Sequence, residues 1–415
     1  MVLPGALFAS DKLDIELRGY LKTLVSISDA TSYNAAFSAA DIDDISDIDG
    51  EWANSLRLDL RLYLNNKVEM EAAYELSVSL QDTDNINPLF TDAAAKPLSY
   101  RASDIGVNLY ARESNRNLTL KQNLDRIFFT VTTGQSDIYI GRQAIAFGSA
   151  RVINPTDIIT SFTYTELNSE ERSGVDSIRL RMPLGDLSEL DAGVVAGDDL
   201  SLKKSAAFIR ARFSAGDADI SPIVILFRQN MLAGLDIAGS VGDAGYWIEA
   251  AWTFAGLADK HISSQDYLRV SIGSDYSFND RLYAFIEYHF SGAGLSGSES
   301  YADVLGRAVE PAFSDGAVYL LGKHYLAPGF TYSITPLWTM SMQSLVNLDD
   351  PSLLFAPGVQ YSLSDNAVIE CGAYLGAGGS PLITPDFASG SINVNAPSEF
   401  GLYQDVWYIA AKLYF

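Results

Sequence analysis

The sequence is poor in the residues that build metal sites, disulfides and membrane helices. Its 415 residues include one cysteine, Cys371, and three histidines that are scattered along the chain. One cysteine excludes a disulfide framework and a CxxCH haem attachment, and scattered histidines do not predict a zinc site. No stretch approaches the roughly 18 apolar residues that a membrane-spanning helix needs. We therefore expect no cofactor and no helical membrane span.

Positive charge is also scarce. The chain has 52 Asp and Glu against 28 Lys and Arg, a formal net charge of −24, which argues against a nucleic-acid partner. The sequence has no phosphate loop and no nucleophile elbow. Glu287 and His289 lie close together on one predicted strand, but such a pair is more often structural than catalytic. The sequence therefore predicts no enzyme.

Hydrophobic residues make up 48% of the chain and occur in short segments in which they alternate with polar residues. Apolar and polar residues alternate along 56–64, a turn follows at Asn65–Asn66, and the alternation resumes along 68–80. A hairpin with an apolar outside and a charged inside is typical of a barrel in lipid. The residues predicted to face lipid include Leu56, Leu58, Leu60, Ile178, Leu180, Ile209, Phe213, Ile272 and Ile409.

The last 14 residues, 402–415, alternate in the same way and end in Phe415. A closing strand with a terminal aromatic residue resembles those of Gram-negative outer-membrane barrels, in which it covers the last open edge. The resemblance implies an outer-membrane location, contact with lipid and lipopolysaccharide, and both termini on the periplasmic side.

Turn residues divide the chain into about 18 strands, and 16 is also compatible with the pattern. The predicted fold class is all-β, a transmembrane antiparallel β-barrel with short turns on one side and long loops on the other. Gly, Asn, Asp and Pro mark the short turns, at Asn65–Asn66, Gly134–Ser136, Leu184–Leu187, Gly216–Asp217, Gly242–Gly245, Asn279–Asp280, Thr335–Pro336 and Ser364–Asn366. Longer connections are expected at 29–51, 81–117, 149–173, 291–322 and 378–401.

Two features of the N-terminal region, its first ten residues and an acidic stretch, support further expectations. Residues 1–10 resemble the tail of a signal peptide without its basic start, which leaves 11–415 as a single barrel domain; an ordered N-terminal plug is the alternative. The acidic stretch 41–51 contains weak calcium candidates in Asp43, Asp47 and Asp49, but its spacing is not that of an EF-hand loop. A solvated acidic loop is the favoured interpretation.

By the alternation, the inner wall is rich in arginine. Arginine binds carboxylate and phosphate through its planar fork, so the wall suits an anion path. The alternative is a set of ion-pair ladders, as for Arg61 opposite Glu69 or Glu71. The inward arginines are Arg57, Arg61, Arg126, Arg179, Arg181, Arg210, Arg212 and Arg269.

The stretch 122–157 contains the most specific motif. It combines a strand ending in GRQ at 141–143, an FG pair at 147–148 and NPTD at 154–157. This resembles a porin family that includes the alginate-export channel, and residues 172–185 continue the resemblance. The family's exporter carries polyanion through an arginine-rich constriction, although alginate itself is not implied for this chain.

The resemblance and the wall together predict a passive channel for an anionic solute or polysaccharide. We expect residues 149–173 to bend inward and to narrow the pore, with Arg142, Arg151 and Asp157 in one polar network. The alternative is that Arg142 and Asp157 only fix the loop to the wall. A second candidate function is the barrel sheath of a porin–cytochrome conduit, whose haems would lie on multihaem cytochrome partners.

Overall fold

The computed structural model describes residues 14–29, 48–82, 100–103, 109–113, 116–160, 171–257, 265–296, 301, 311–314, 318–380, 382–386 and 391–415. Within these ranges no helix is both long enough and apolar enough to cross a membrane. A short α-helix, α1, covers Pro311–Ser314. The residues 1–10, and with them the signal-peptide prediction, lie outside the described residues.

The described part of the chain folds into a closed antiparallel barrel of 18 strands. Each strand pairs with the next barrel strand in chain order. This confirms the fold class and selects 18 strands over 16. The barrel strands are β1 (Asp14–Asp29), β2 (Ile48–Asn65), β3 (Val68–Asp82), β5 (Arg116–Thr133), β6 (Ser136–Gln143), β7 (Val175–Gly185), β8 (Ser188–Val195), β9 (Ala206–Ala215), β10 (Ala218–Phe227), β11 (Asn230–Val241), β12 (Ala244–Phe254), β13 (Tyr267–Ser277), β14 (Leu282–Ser291), β15 (His324–Ser333), β16 (Trp338–Asn347), β17 (Ser352–Ser364), β18 (Ala367–Ala377) and β21 (Asp405–Tyr414).

Three short strands lie in the loops. β4 (Leu109–Glu113) pairs with the outer end of β5, and β19 (Leu382–Asp386) pairs with β20 (Ser391–Asn395) as a separate hairpin. They belong to the connections at one end of the barrel, which we call the loop end. The other end, the turn end, carries the eight short turns, and the turn predictions agree with it.

The last strand closes the barrel against the first. β21 pairs with β1 from Tyr20 opposite Tyr414 to Asp29 opposite Asp405. Phe415 extends the pairing, because it exchanges two backbone hydrogen bonds of 3.0 Å with Gly19. The predicted closing strand is therefore confirmed, and β1 begins and β21 ends at the turn end.

The alternation along the strands places apolar side chains outside and polar ones inside. Of the residues predicted to face lipid, Ile178, Ile209, Phe213, Ile272 and Ile409 are among the exposed large hydrophobics. Leu56, Leu58, Leu60 and Leu180 are half-buried, while their neighbours Ser55, Arg57 and Ser177 are buried on the opposite face. The predicted register therefore holds in these strands.

Candidate functional site

The connection between β6 and β7, residues 144–174, folds into the barrel; we call it loop three. It leaves and re-enters the wall at neighbouring strands, yet residues 149–156 contact side chains of β11 to β14. Those strands are five to eight positions away around the barrel. The described part of the loop, 144–160 and 171–174, therefore crosses the interior, and the expected inward bend is confirmed.

Glu287, on β14, holds the middle of loop three. Its carboxylate accepts the backbone N–H groups of Arg151 at 2.8 Å, Val152 at 3.3 Å and Ile153 at 2.9 Å. It also accepts the indole N–H of Trp247 at 2.9 Å. Hydrogen bonds from several donors compensate for burying an ionised carboxylate. Glu287 therefore fixes three successive loop residues at one point of the wall.

Glu249, on β12, holds both flanks of the same segment. It accepts the backbone N–H of Ala150 at 3.2 Å and both the N–H and the hydroxyl of Thr156 at 2.7 Å. The close approach of the loop requires Gly148, which has φ of +91°. A Cβ there would lie 2.5 Å from Asn154 Oδ1 and from Glu249 Oε2. Only glycine fits both the backbone angle and the space.

The residues beneath the loop form a continuous line around the barrel, which we call the polar row. Each member is the direct cross-strand partner of the next, from β10 to β17. All are buried. Because side chains directly opposite one another share a face of the sheet, the row is one inward-facing seat. Its members are Ser221, Asp236, Glu249, Ser271, His289, Tyr325, Asn347 and Ser352.

Two further members of the row contact loop three. Asp236 accepts the hydroxyl of Ser149. Ser271 donates to the carbonyl of Ile153 at 2.6 Å and lies 2.8 Å from Nδ1 of His289. With its hydroxyl bonded to the loop and fully buried, Ser271 is a structural contact, and so is the His289 imidazole beside it. This agrees with the structural interpretation of the Glu287 and His289 pair.

The structure divides the predicted network of Arg142, Arg151 and Asp157 into three ion pairs. Arg142 binds Asp176 at the base of loop three, at 2.8 Å. Arg151 binds Asp275 on β13 at 2.8 Å, and its guanidinium lies 5.5 Å from the Trp247 ring centre. The prediction of a single network is therefore wrong, because Arg142, Arg151 and Asp157 bind different partners at different points along the loop.

Asp157 and Arg172 form the third pair, between the two arms of loop three. Asp157 is buried, and burial raises the pKa of its carboxyl, while the charge of Arg172 opposes the rise. The guanidinium of Arg172 also donates to the carbonyl of Thr160 at 2.9 Å. Arg172 therefore ties the outgoing arm of the loop to the returning arm.

Four of the predicted inward arginines lie on β7 and β9, where we call them the arginine strip, and two of the four are paired across strands. Arg179 holds Asp191 with two hydrogen bonds of 2.8 and 2.5 Å, and Arg181 holds Glu189 at 2.8 Å. Arg210 donates to Ser221 at 3.0 Å and lies 5.9 Å from the ring centre of Phe147 in loop three. The ladder interpretation therefore fits Arg179 and Arg181.

Arg212 differs from its three neighbours. Its side chain is exposed, and among the described residues it forms no ion pair. It lies on the same strand face as Arg210, two residues away, so both guanidinium groups are directed to the interior. Arg210 lies directly opposite Asp191, and Arg212 directly opposite Glu189, so two carboxylates of β8 are shared among four guanidinium groups of β7 and β9.

In three ion pairs on the side of β7 to β13, the guanidinium is the more exposed partner, whereas in the pair of Arg142 with Asp176 the carboxylate is the more exposed one. The exposed fractions are 53% for Arg151 against 13% for Asp275, 37% for Arg181 against 21% for Glu189, and 15% for Arg179 against 2% for Asp191. At these three pairs the guanidinium groups are more accessible to a passing solute than the carboxylates.

The opposite side of the wall has a different charge arrangement. Arg57 is buried between Asp59 and Asp125, at 3.0 and 3.1 Å, with Asp59 the exposed partner. Arg61 pairs with Glu69 at 2.8 Å and Glu71 at 3.2 Å, as the ladder interpretation expects. Of the remaining predicted wall residues, Arg126 binds Glu171 at 2.6 Å. Arg269 donates to the carbonyl of Asn154 at 3.4 Å.

The calcium candidates do not form a described site. Asp43 and Asp47 lie outside the described residues, and Asp49 is a buried residue of β2. No cluster of three or more His, Cys, Asp or Glu suited to a metal occurs among the described residues. The weak calcium prediction therefore stays untested.

The sequence analysis missed the carboxylates that seat the loop. Glu249 and Glu287 each stand alone as the acidic residue of an otherwise apolar and aromatic strand, in GYWIEAAWTF and LYAFIEYHFS. A lone inward carboxylate is the signal that could have identified them. Their alignment with Asp236 and Ser271 depends on the strand register, which single strands do not reveal.

The fold resembles that of solved outer-membrane channels. OccAB3 of Acinetobacter baumannii has a TM-score of 0.57 at 10% identity, covering 97% of this chain and 99% of that one. OprD of Pseudomonas aeruginosa has a TM-score of 0.55 at 9% identity, covering 97% of this chain and 94% of that one. A BenF-like porin of Pseudomonas fluorescens Pf-5 has a TM-score of 0.55 at 12% identity, covering 97% of this chain and 99% of that one.

At these identities the likeness shows that the chain has the porin fold, and it does not extend to function. No protein-family model matches the sequence, and no curated protein matches it. The resemblance to the alginate-export channel therefore stays a prediction.

Proposed function

We propose that this protein is an outer-membrane channel for the passive passage of small anionic solutes, with loop three setting the aperture. The observation that carries the proposal is the seating of loop three across the interior by Glu249 and Glu287. An 18-stranded barrel is wide enough for an aqueous channel unless a loop enters it. A loop fixed inside such a barrel is a constriction that leaves part of the lumen open.

The charge of the permeant solute follows from the wall beside the loop. The more exposed members of three ion pairs on that side are Arg151, Arg179 and Arg181. Arg210 and Arg212 face Asp191 and Glu189, which also bind Arg179 and Arg181, so β7 to β9 carry four guanidinium groups against these two carboxylates. Charges within about 8 Å of a permeant ion are felt at physiological salt, and more distant ones are screened. The acidic residues of the loop end therefore have little influence at the constriction, despite the net charge of −24.

The same loop argues against a sheath around a multihaem cytochrome. A sheath has to leave the lumen free for its partner, whereas residues 149–156 occupy the space between β6 and β14. The channel is therefore the better supported candidate, and cytochrome partners are not proposed. Both candidates share the outer membrane, with the turn end of the barrel on the periplasmic side.

The test is the reversal potential of the purified protein in planar bilayers under a salt gradient. The variant Arg210→Ala/Arg212→Ala removes two positive charges whose facing carboxylates, Asp191 and Glu189, are already bound by Arg179 and Arg181, so anion selectivity should fall. The matched control, Arg179→Ala/Asp191→Ala, removes a complete ion pair and leaves the net charge unchanged, so selectivity should stay near that of the wild type. A cation-selective wild type, or equal shifts in both variants, would refute the anion path.

A further inference from the structure

A second loop enters the barrel beside loop three. The connection from β18 to β21 contains residues 396–403, which we call the lid segment. Its Phe400 is fully buried against Tyr325, Leu345 and Leu354, which are inward positions of β15, β16 and β17. Ile153 of loop three packs against the same cluster. The lid segment therefore lies inside the loop end of the barrel, in contact with loop three.

One carboxylate fixes the lid segment to the polar row. Glu399 is 0% exposed. It accepts the hydroxyl of Tyr325 and the side-chain amide of Asn347, the latter at 2.9 Å. It also accepts the backbone N–H of Leu321, from the loop before β15, at 2.8 Å. Tyr325 and Asn347 belong to the row that also seats loop three, so one line of residues holds both loops.

Among the described residues, the charged group acting on Glu399 is a second carboxylate, that of Asp350. Asp350, in the turn before β17, accepts the backbone N–H of Glu399 at 2.6 Å and acts on its carboxyl with the same sign. The other titratable groups described around it are the hydroxyls of Tyr325, from β15, of Tyr301, from the loop before it, and of Tyr403, from the lid segment. Burial raises the pKa of Glu399 to about 7, and the hydrogen bond from Tyr325 opposes the rise.

We propose that the lid segment is a pH-dependent gate, held against the polar row while Glu399 is protonated and released when Glu399 ionises. The gate rests on the proposed channel function, since it covers the aperture that loop three sets. Release requires no rearrangement of strands, because the lid segment is part of a connection between β18 and β21. The buried Glu399 carboxylate, which lies beside the like charge of Asp350, is the element that favours release once it is charged.

The direction of the pH effect follows from the two states of Glu399. In the held lid its pKa is about 7, and in a released, hydrated lid it returns to the ordinary value near 4.3. The held lid therefore binds a proton that the released lid does not bind. The ratio of held to released lids is highest below pH of about 4.3 and falls, up to tenfold per pH unit, until about pH 7. Above that it stays low.

Single-channel currents of the wild type between pH 4.5 and 8 test the gate. We expect the time spent in the low-conductance state to fall as the pH rises toward 7 and then to level off. In Glu399→Gln, which cannot ionise, this time should not change with pH. Glu370→Gln is the matched control, because Glu370 lies on β18 and binds Lys412 at 3.3 Å; it should keep the wild-type dependence. A wild type without pH dependence, or Glu399→Gln with the full dependence, would overturn the gate.

Two further measurements keep the test decisive. Tyr325→Phe removes a hydrogen bond that favours the ionised Glu399, so its transition should move to higher pH. Hydrogen exchange at the Phe400 amide, which donates to Ser352 at 3.2 Å, reports release without any current. If the protein carried no current while this exchange still titrated with Glu399, the proposed channel function would be refuted and the pH-dependent release of the lid segment would be retained. An exchange rate that follows only the intrinsic pH dependence of amide exchange would refute the pH-dependent release of the lid segment.

Discussion

Replacing Glu287 with alanine is the sharpest perturbation of loop three. The carboxylate receives four hydrogen bonds, three from the consecutive backbone N–H groups of Arg151, Val152 and Ile153 and one from Trp247. Glu287→Ala leaves all four donors without their acceptor, and the space is closed to bulk water while the loop stays seated. The loop can satisfy its N–H groups only by leaving the wall.

The expected size follows from the three backbone donors. A buried donor left without a partner costs about 1–3 kcal/mol. Taking the lower limit for each backbone N–H gives a loss of about 3 kcal/mol for the seated loop. Since about 1.4 kcal/mol corresponds to a factor of ten, the population of displaced loops should rise roughly a hundredfold. The barrel itself should remain folded, because the strand ladders around β14 do not depend on this side chain.

Single-channel recording in planar bilayers measures the displacement. The wild type should give a steady conductance, and Glu287→Ala should give a larger mean conductance with frequent transitions. The heat-modifiable shift in gel mobility confirms that the barrel is folded. Glu370→Ala is the matched control, since it removes a glutamate that binds Lys412 on the wall. A folded Glu287→Ala channel with the conductance and noise of the wild type would show that the carboxylate does not hold the loop.

Three further predictions test the seat, the faces and the closure. Gly148→Ala should loosen loop three and increase current noise, because its Cβ would lie 2.5 Å from Glu249 Oε2, whereas Gly185→Ala meets no atom within 4 Å and should leave the noise unchanged. Ile178→Arg should weaken insertion into lipid by about 2–4 kcal/mol near the bilayer centre, measured by folding titrations; a neutral effect would place that side chain in the lumen. Deletion of Phe415, which pairs with Gly19, should slow assembly in a gel-shift time course, and Phe415→Tyr should restore it.

The fold was predictable because a lipid barrel leaves a strong local pattern. Alternation along 56–64 and the turn at Asn65–Asn66 identify a hairpin without any knowledge of its neighbours, since both signals lie within a few residues. The same holds for the closing strand up to Phe415. Strand number and facing follow directly from such repeated local signals.

The site was only partly predictable, because it depends on register and on contacts across the barrel. The GRQ and NPTD segments indicated an inward loop, and that loop is present. The partners of its residues could not be read from the sequence, since Arg151 is 136 positions from Glu287 and 124 from Asp275. The strip of Arg179 and Arg181 was overestimated for the same reason, because Asp191 and Glu189 neutralise it from the neighbouring strand.

The most direct test of the account is the size limit for solutes, measured by the exclusion of graded polyethylene glycols from the open channel. The wild type should be compared with a variant in which a short Gly-Ser linker replaces residues 150–170. If loop three sets the aperture, the wild type should exclude polymers that enter the variant, and the variant should conduct more. Equal size limits and equal conductance in two folded barrels would contradict the claim that loop three is the constriction.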